Sequence, residues 1–309
     1  MNTPSAPKVY SGVSSGVFSG LNLNNARRAV AQQFERGGLA DCEGEARELV
    51  MAATKLTRAE LIVQGPEPLS PKAAQRLEDY TARRLAGEPV DNILGWRDFY
   101  GRRFKVTKDV LSPRQETEEV TARALALIKD IKAPRVLDLG TGSGAIITTI
   151  LAERADASGA AADISQAALD IAASNAASHG VAERLTLIRS DWFSAISQPA
   201  PNEAFDLIVS NPPYIDSAAM GALETEVKQF DPALALHGGE DGLEPYRQIA
   251  ARAGRYMTGG GALVFEIGFD QGQSVAEILQ QAGFINIETT QDIFGQPRIV
   301  CAQSPEKKL

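Results

Sequence analysis

Cysteine and histidine are nearly missing from this 309-residue sequence, and no apolar run reaches membrane-spanning length. Cys42 and Cys301 are too few for a disulfide framework or a zinc site, so a reducing compartment and no metal are predicted. A crossing helix needs roughly 18 or more consecutive apolar residues, and none is present. The N-terminus lacks a charged stretch followed by an apolar core, which predicts no secretory signal. Cytoplasm is the expected location. His179, beside Gly180, and His237, in a loop, are the only histidines, and no general base is evident. Positive charge is scarce as well. The net charge is -8, and from position 136 onward 22 Asp and Glu face 10 Lys and Arg, while the first 135 residues hold 17 and 21. Non-specific nucleic-acid binding depends on clustered cations. The acidic balance therefore argues against a broad phosphate-binding surface and a direct nucleic-acid substrate.

What is present reads as a globular chain, 44% hydrophobic and 23% charged, with room for a large domain and a small one. Residues 1–20, rich in Ser, Gly and Pro, have no structural period and are predicted to be a disordered tail. Residues 21–90 carry helical spacing, with Ala26, Val30 and Phe34 on one face and Ala46, Leu49, Val50 and Ala53 on another. Thr57 and Glu60 have capping-box spacing, and Ser70-Pro71 places a cap before a first-turn proline. This is a small helical bundle, read as a docking module with a structural cap as the alternative. Residues 91–110 form a linker with an aromatic, basic hairpin around Gly101.

From 111 to 309 strands alternate with helices, which predicts a mostly parallel sheet covered on both faces, its last strand antiparallel. Two stretches carry the chemistry. The strand 135–139 runs into Gly140-Thr141-Gly142-Ser143-Gly144 and then a helix, so the glycines permit a tight turn and close approach of a ligand. Asp163 follows about twenty residues later, at the end of the next strand, where an acid binds ribose hydroxyls in nucleotide folds. No Lys-Ser or Lys-Thr follows the loop, so it is not a P-loop. The second stretch is Asn211-Pro212-Pro213-Tyr214 behind the apolar strand 207–209. Two prolines end the sheet ladder, and Asn211 is pushed extended by the proline after it. The product is a stiff corner, at the carboxyl end of a strand, that can receive a planar group bearing NH2.

The segment Asp138 to Gly144 resembles the S-adenosylmethionine loop of class I methyltransferases, and Asn211-Pro-Pro-Tyr214 resembles the signature of enzymes that methylate planar nitrogen. Three further stretches are similar to the PrmC (HemK) family of peptide chain release factor glutamine N5-methyltransferases: Gly87-Glu88-Pro89-Val90 with Leu94-Gly95, Ser112-Pro113-Arg114-Gln115-Glu116-Thr117-Glu118, and Asp231-Pro232-Ala233-Leu234-Ala235-Leu236 with Gly239-Glu240-Asp241-Gly242-Leu243. The likeness runs from about residue 25 to 303. It departs at Gln115, where the family usually has proline.

The resemblance implies a Rossmann-like methyltransferase domain over 111–309 and S-adenosyl-L-methionine as cofactor. The implied substrate is the GGQ glutamine of a release factor; no membrane partner and a monomer are the default expectations. Ribosomal-protein glutamine methylation and adenine-N6 or guanine-N2 methylation are the alternatives. Implied cofactor contacts are Gly140, Thr141, Gly142, Ser143, Gly144, Asp163 at the ribose, Asp191 and Trp192 beside the adenine, and Asn211. Glu116 and Thr117 are implied to close the methionine end, and Phe99 either walls the methyl site or packs the hairpin. Asn211, Pro212, Pro213 and Tyr214 hold the substrate amide. The Asn211 oxygen and the Pro212 carbonyl are taken as N–H acceptors and Tyr214 as the packing face. Glu266, behind the apolar Leu263-Val264-Phe265, is read as a structural acid outside the site.

Overall fold

Caps and apolar spacing divide the first part of the chain into five helices, α1 (Leu23–Gly37), α2 (Cys42–Thr54), α3 (Arg58–Val63), α4 (Pro71–Leu85) and α5 (Val90–Leu94). The computed structural model describes residues 16–223, 225–292 and 295–306. Thr57 and Glu60 close a reciprocal capping box on α3, and Ser70 caps α4 with Pro71 in its first turn. The apolar faces of α1, α2 and α4 bury Val30, Phe34, Leu49, Val50 and Leu77 in one core.

Two expectations shift here. Residues 1–15 lie outside the described part, but 16–20 form a turn, and Phe18 is fully buried in the helical core. Sinking a phenylalanine stabilises such a core by about 2–3 kcal/mol, enough to hold that end of the tail in place. Residues 91–95 belong to α5 and its Gly95 cap rather than to a hairpin linker, and the unit ends at Gly95.

The second unit begins at Trp96. Strands β1 (Trp96–Phe99) and β2 (Arg102–Lys105) pair around Tyr100-Gly101, both with positive φ, as a two-residue hairpin requires. Then follow α6 (Gln115–Leu127), β3 (Arg135–Leu139), α7 (Ala145–Glu153), β4 (Ser158–Asp163), α8 (Gln166–Ser178), β5 (Leu185–Arg189) and β6 (Phe205–Ser210). Three short helices come next, α9 (Ser217–Ala222), α10 (Thr225–Phe230) and α11 (Ala233–Leu236). The chain closes with α12 (Glu244–Ala253), β7 (Met257–Glu266), α13 (Gly272–Gln281), β8 (Ile285–Gln291) and β9 (Pro297–Gln303).

Seven strands form one sheet in the order β5-β4-β3-β6-β7-β9-β8. The first five are parallel, and β9 runs antiparallel to both β7 and β8. Period-two alternation sends Leu137, Leu139, Ile208 and Phe265 to one face, under α12 and α13, and Val136, Leu207, Val209 and Val264 to the other, under α6 and α7. Both faces are covered, so these strands are near-continuous apolar runs. The chain proceeds outward from β3 through β4 to β5, then returns to lay β6 on the other side of β3. That reversal opens a crevice at the carboxyl ends of β3 and β6, the place where open α/β sheets bind ligands.

Candidate active site

The glycine loop and the proline corner leave these two neighbouring strands, so both arrive at the crevice. Between them lies a cleft of about 1090 Å³, counted out to its open mouth. Two glycines of the loop have separate reasons. Gly144 has φ 75°, and a Cβ there would lie 3.0 Å from the Cβ of Ala172, so its absence lets α7 pack on α8. Gly142 has φ 55° and would meet nothing within 4 Å, because its bare backbone faces the cleft. The Gly140 and Thr141 amides donate to Ala162 O at 2.8 and 3.1 Å, tying the loop to the end of β4.

Asp163, the last residue of β4, accepts from Gly142 N at 2.9 Å and Ser165 N at 2.9 Å, one bond to each oxygen. An ionised carboxylate has about four acceptor sites, so two remain for a ligand's hydroxyls. Gly140, Thr141, Gly142, Ser143, Asp163, Asp191, Trp192, Asn211 and Pro213 all line the cleft. Gly144 does not, since it packs against Ala172. Trp192 serves the cleft and the core at once, with φ 47° and partial burial against the apolar cluster of the α12 face.

Asn211 stands in a wall shared with a second cavity. Leu111, Arg114, Asn211 and Ala235 line both, and Tyr214, Ile215, Leu223, Val227 and Leu236 complete the second, which is mostly apolar. Pro212 lines neither. The chain leaves β6 extended, so Asn211 and Pro213 turn toward the cleft while Ser210 and Pro212 are buried. The buried Pro212 ring adds stiffness to the corner. Gln271 braces that corner, its side-chain amide donating to Tyr214 O at 3.0 Å and Gly242 O at 3.2 Å while Gly268 N donates to its oxygen at 3.0 Å. Burial pushes the Tyr214 phenol above its ordinary range, with Glu266 adding to the effect.

Phe99 lines neither cavity. It packs edge-on to Phe104, ring centroids 5.8 Å apart, and against Ala145, so it is a hairpin residue. Thr117 lines the cleft and Glu116 does not. Two buried acids lie beneath these groups. Asp138 accepts the Thr141 hydroxyl at 2.6 Å, and burial, with Asp163 nearby, pushes its carboxyl to about 7. Glu266 accepts the Thr117 hydroxyl at 2.7 Å, and burial pushes it to about 7 as well. Glu266 thus sits behind the site, one side chain removed from Asn211. The available signal was an acid ending an apolar strand, with nothing local to say what it faces.

Comparison with known proteins matches two families to this chain, the PrmC N-terminal domain over residues 25–95 and the Methyltransferase small domain over residues 110–239. The Release factor glutamine methyltransferase of Cereibacter sphaeroides is 45% identical over 285 residues, covering 92% of this chain and 99% of that protein. The protein of the same name from Agrobacterium fabrum is 40% identical over 276 residues, covering 88% and 94%. Among solved structures, the hMettl16 catalytic domain in complex with MAT2A 3'UTR hairpin 6 superposes with a TM-score of 0.55 at 13% identity, covering 75% of this chain and 84% of that one. That last likeness concerns the fold alone.

Proposed function

This chain belongs to the family of release factor glutamine methyltransferases, and from that premise we propose how its own residues carry out the reaction. It is an S-adenosylmethionine-dependent enzyme that methylates the side-chain amide nitrogen of a glutamine in a release factor. The cleft residues fit that cofactor. The bare backbone at Gly142 gives close approach, Asp163 keeps acceptor sites for a ribose diol, and Asp191 and the Trp192 face flank the cleft where an adenine would lie. When bound, the cofactor supplies a methyl group on a sulfonium, an electrophile with a neutral thioether as its leaving group.

The observation that carries the residue roles is Asn211 in the wall common to the two cavities. A donor in the cleft and an amide in the second cavity would meet there. The cofactor would supply the methyl for a new N–C bond and depart as the neutral thioether, and the amide would give up one of its two protons to water. An amide nitrogen is a poor nucleophile because its lone pair is delocalised into the carbonyl. Asn211 Oδ1, by accepting an amide N–H, orients that nitrogen and favours its lone pair. Tyr214, half-buried and held by Gln271 through its carbonyl, packs the amide plane. Pro212 and Pro213 keep the corner rigid, so much of the rate comes from positioning. The helical unit is assigned to docking the protein substrate. A monomer is part of the proposal, and release factors work beside ribosomes, which supports a cytoplasmic site of action.

The test is to incubate the full chain with labelled S-adenosylmethionine and, separately, purified release factors, ribosomal proteins, rRNA and DNA. Label should appear on release factor only and map to a glutamine by tandem mass spectrometry. Label confined to nucleic acid would overturn the reading.

A further inference from the structure

Among the described residues, a short polar chain runs out of the core into the site. Glu266 ends β7 and is almost wholly buried, with its backbone carbonyl accepting from Tyr246 at 2.9 Å. Its carboxylate accepts the Thr117 hydroxyl at 2.7 Å, and the Asn211 side-chain nitrogen lies 3.5 Å from the same Thr117 oxygen. Thr117 comes from the first turn of α6 and Asn211 from the end of β6, so three elements meet in this chain.

We propose that Glu266 is a positioning residue for the transfer, acting through Thr117 to turn the Asn211 carboxamide so that Oδ1 faces the substrate amide. The inference rests on the role given to Asn211 above. A threonine hydroxyl has one proton. When Glu266 is ionised it accepts the Thr117 O–H, and the Thr117 oxygen is left only as an acceptor toward Asn211. The Asn211 group facing it must then be NH2, and Oδ1 is the group left for an incoming N–H. When Glu266 is protonated it donates to Thr117, whose own proton swings toward Asn211 and draws Oδ1 inward. The NH2 would then face the NH2 of the substrate, donor against donor.

The titration that switches these arrangements lies near neutrality. Burial pushes Glu266 to about 7, against the Thr117 hydroxyl and Arg298 of β9, which favour the charged form. At the start of α6, Glu116 opposes ionisation and Arg114 favours it, and the neutral phenols of Tyr214 and Tyr246 face the same carboxyl. Turnover should therefore follow ionisation of Glu266.

The experiment measures kcat and KM for a purified release factor at saturating S-adenosylmethionine from about pH 6 to about pH 8.5, in wild type, Glu266→Gln, Thr117→Val and Thr117→Ser. Wild-type kcat should fall about tenfold from pH 8 to pH 6, as a group titrating near 7 requires. Glu266→Gln and Thr117→Val should lose that acid limb and run roughly tenfold or more below wild type at pH 8, with KM changed by less than about threefold. Thr117→Ser should restore both rate and limb. As a readout independent of turnover, the Asn211 side-chain NH2 resonances of the cofactor-free protein should shift with pH near 7 in wild type and stay still in Glu266→Gln. An acid limb that survives in Glu266→Gln, or resonances that ignore pH in wild type, overturns the proposal while leaving the enzyme's assignment intact. If Thr117→Val does not fold, Glu266→Gln and the resonances decide the matter. Absence of any methylation by wild type would instead count against the function, and the resonances would still settle the coupling.

Discussion

Truncating Asn211 should separate binding from chemistry. Its carboxamide lies in the wall that both cavities share, and the backbone that carries it is fixed by Pro212 and by β6. Losing a preorganised group of this kind costs about 3 kcal/mol in the transition state, or roughly a hundredfold in kcat. Asn211→Ala should therefore turn over about a hundredfold more slowly while its affinity for S-adenosylmethionine, read by calorimetry, stays within about threefold. Turnover equal to wild type would remove Asn211 from the mechanism. Asn211 was legible in the sequence because a proline pair behind an apolar strand announces a rigid corner. Glu266 was not, because its meaning depends on Thr117, 149 positions away, and no local pattern encodes that contact.

Helix α6 delivers Thr117 to the site, and its start is where this chain departs from the usual family pattern. Arg114 is the N-cap, with no side-chain cap bond, and Gln115 is the first helical residue. Proline suits that position, since its φ is preset for a first turn and its missing N–H would have no partner inside the helix. The residue before proline must be extended, and Arg114 already is, with φ -89° and ψ 159°. Gln115→Pro should therefore stabilise the protein by about 0.4–1 kcal/mol through the unfolded chain, raising Tm by a few degrees at most. A calorimetric scan showing a lower Tm would mean that the first turn adopts another geometry. The helical first unit, helices α7, α8 and α13, the parallel sheet and the caps at Thr57 and Ser70 could be read from spacing, because period and capping are local. The seat of Phe18 could not, since a Ser- and Gly-rich flank hid one aromatic anchor whose partners lie on separate helices.

Across the whole molecule, two kinds of acid pull the pH dependence of stability in opposite directions. Asp156 and Asp241 are held at about 2 by hydrogen bonds from Arg154 and Arg247, so their contribution is present above about pH 4 and lost as pH falls toward 2. Both are exposed, and solvent keeps that contribution small. Asp138 and Glu266 are raised to about 7 from ordinary values of 3.8 and 4.5. Between those ordinary values and 7 the unfolded chain gives up protons that the fold retains, so stability is lost as pH rises through the window and levels off above it. The loss is at most on the order of 4 kcal/mol for Asp138 and 3 kcal/mol for Glu266. Tm should thus be highest near pH 5 and decline toward pH 8. The double variant Asp138→Asn with Glu266→Gln should decline clearly less, as followed by thermal unfolding across that range, and an equal decline in both proteins would show that other groups govern it. Glu266 then carries two opposed demands. The fold is more stable with its carboxyl protonated, whereas the orientation assigned to Asn211 needs it ionised, so conditions that favour turnover are those that weaken the fold. Glu266→Gln should separate the two, gaining Tm at pH 8 relative to wild type while losing kcat at the same pH.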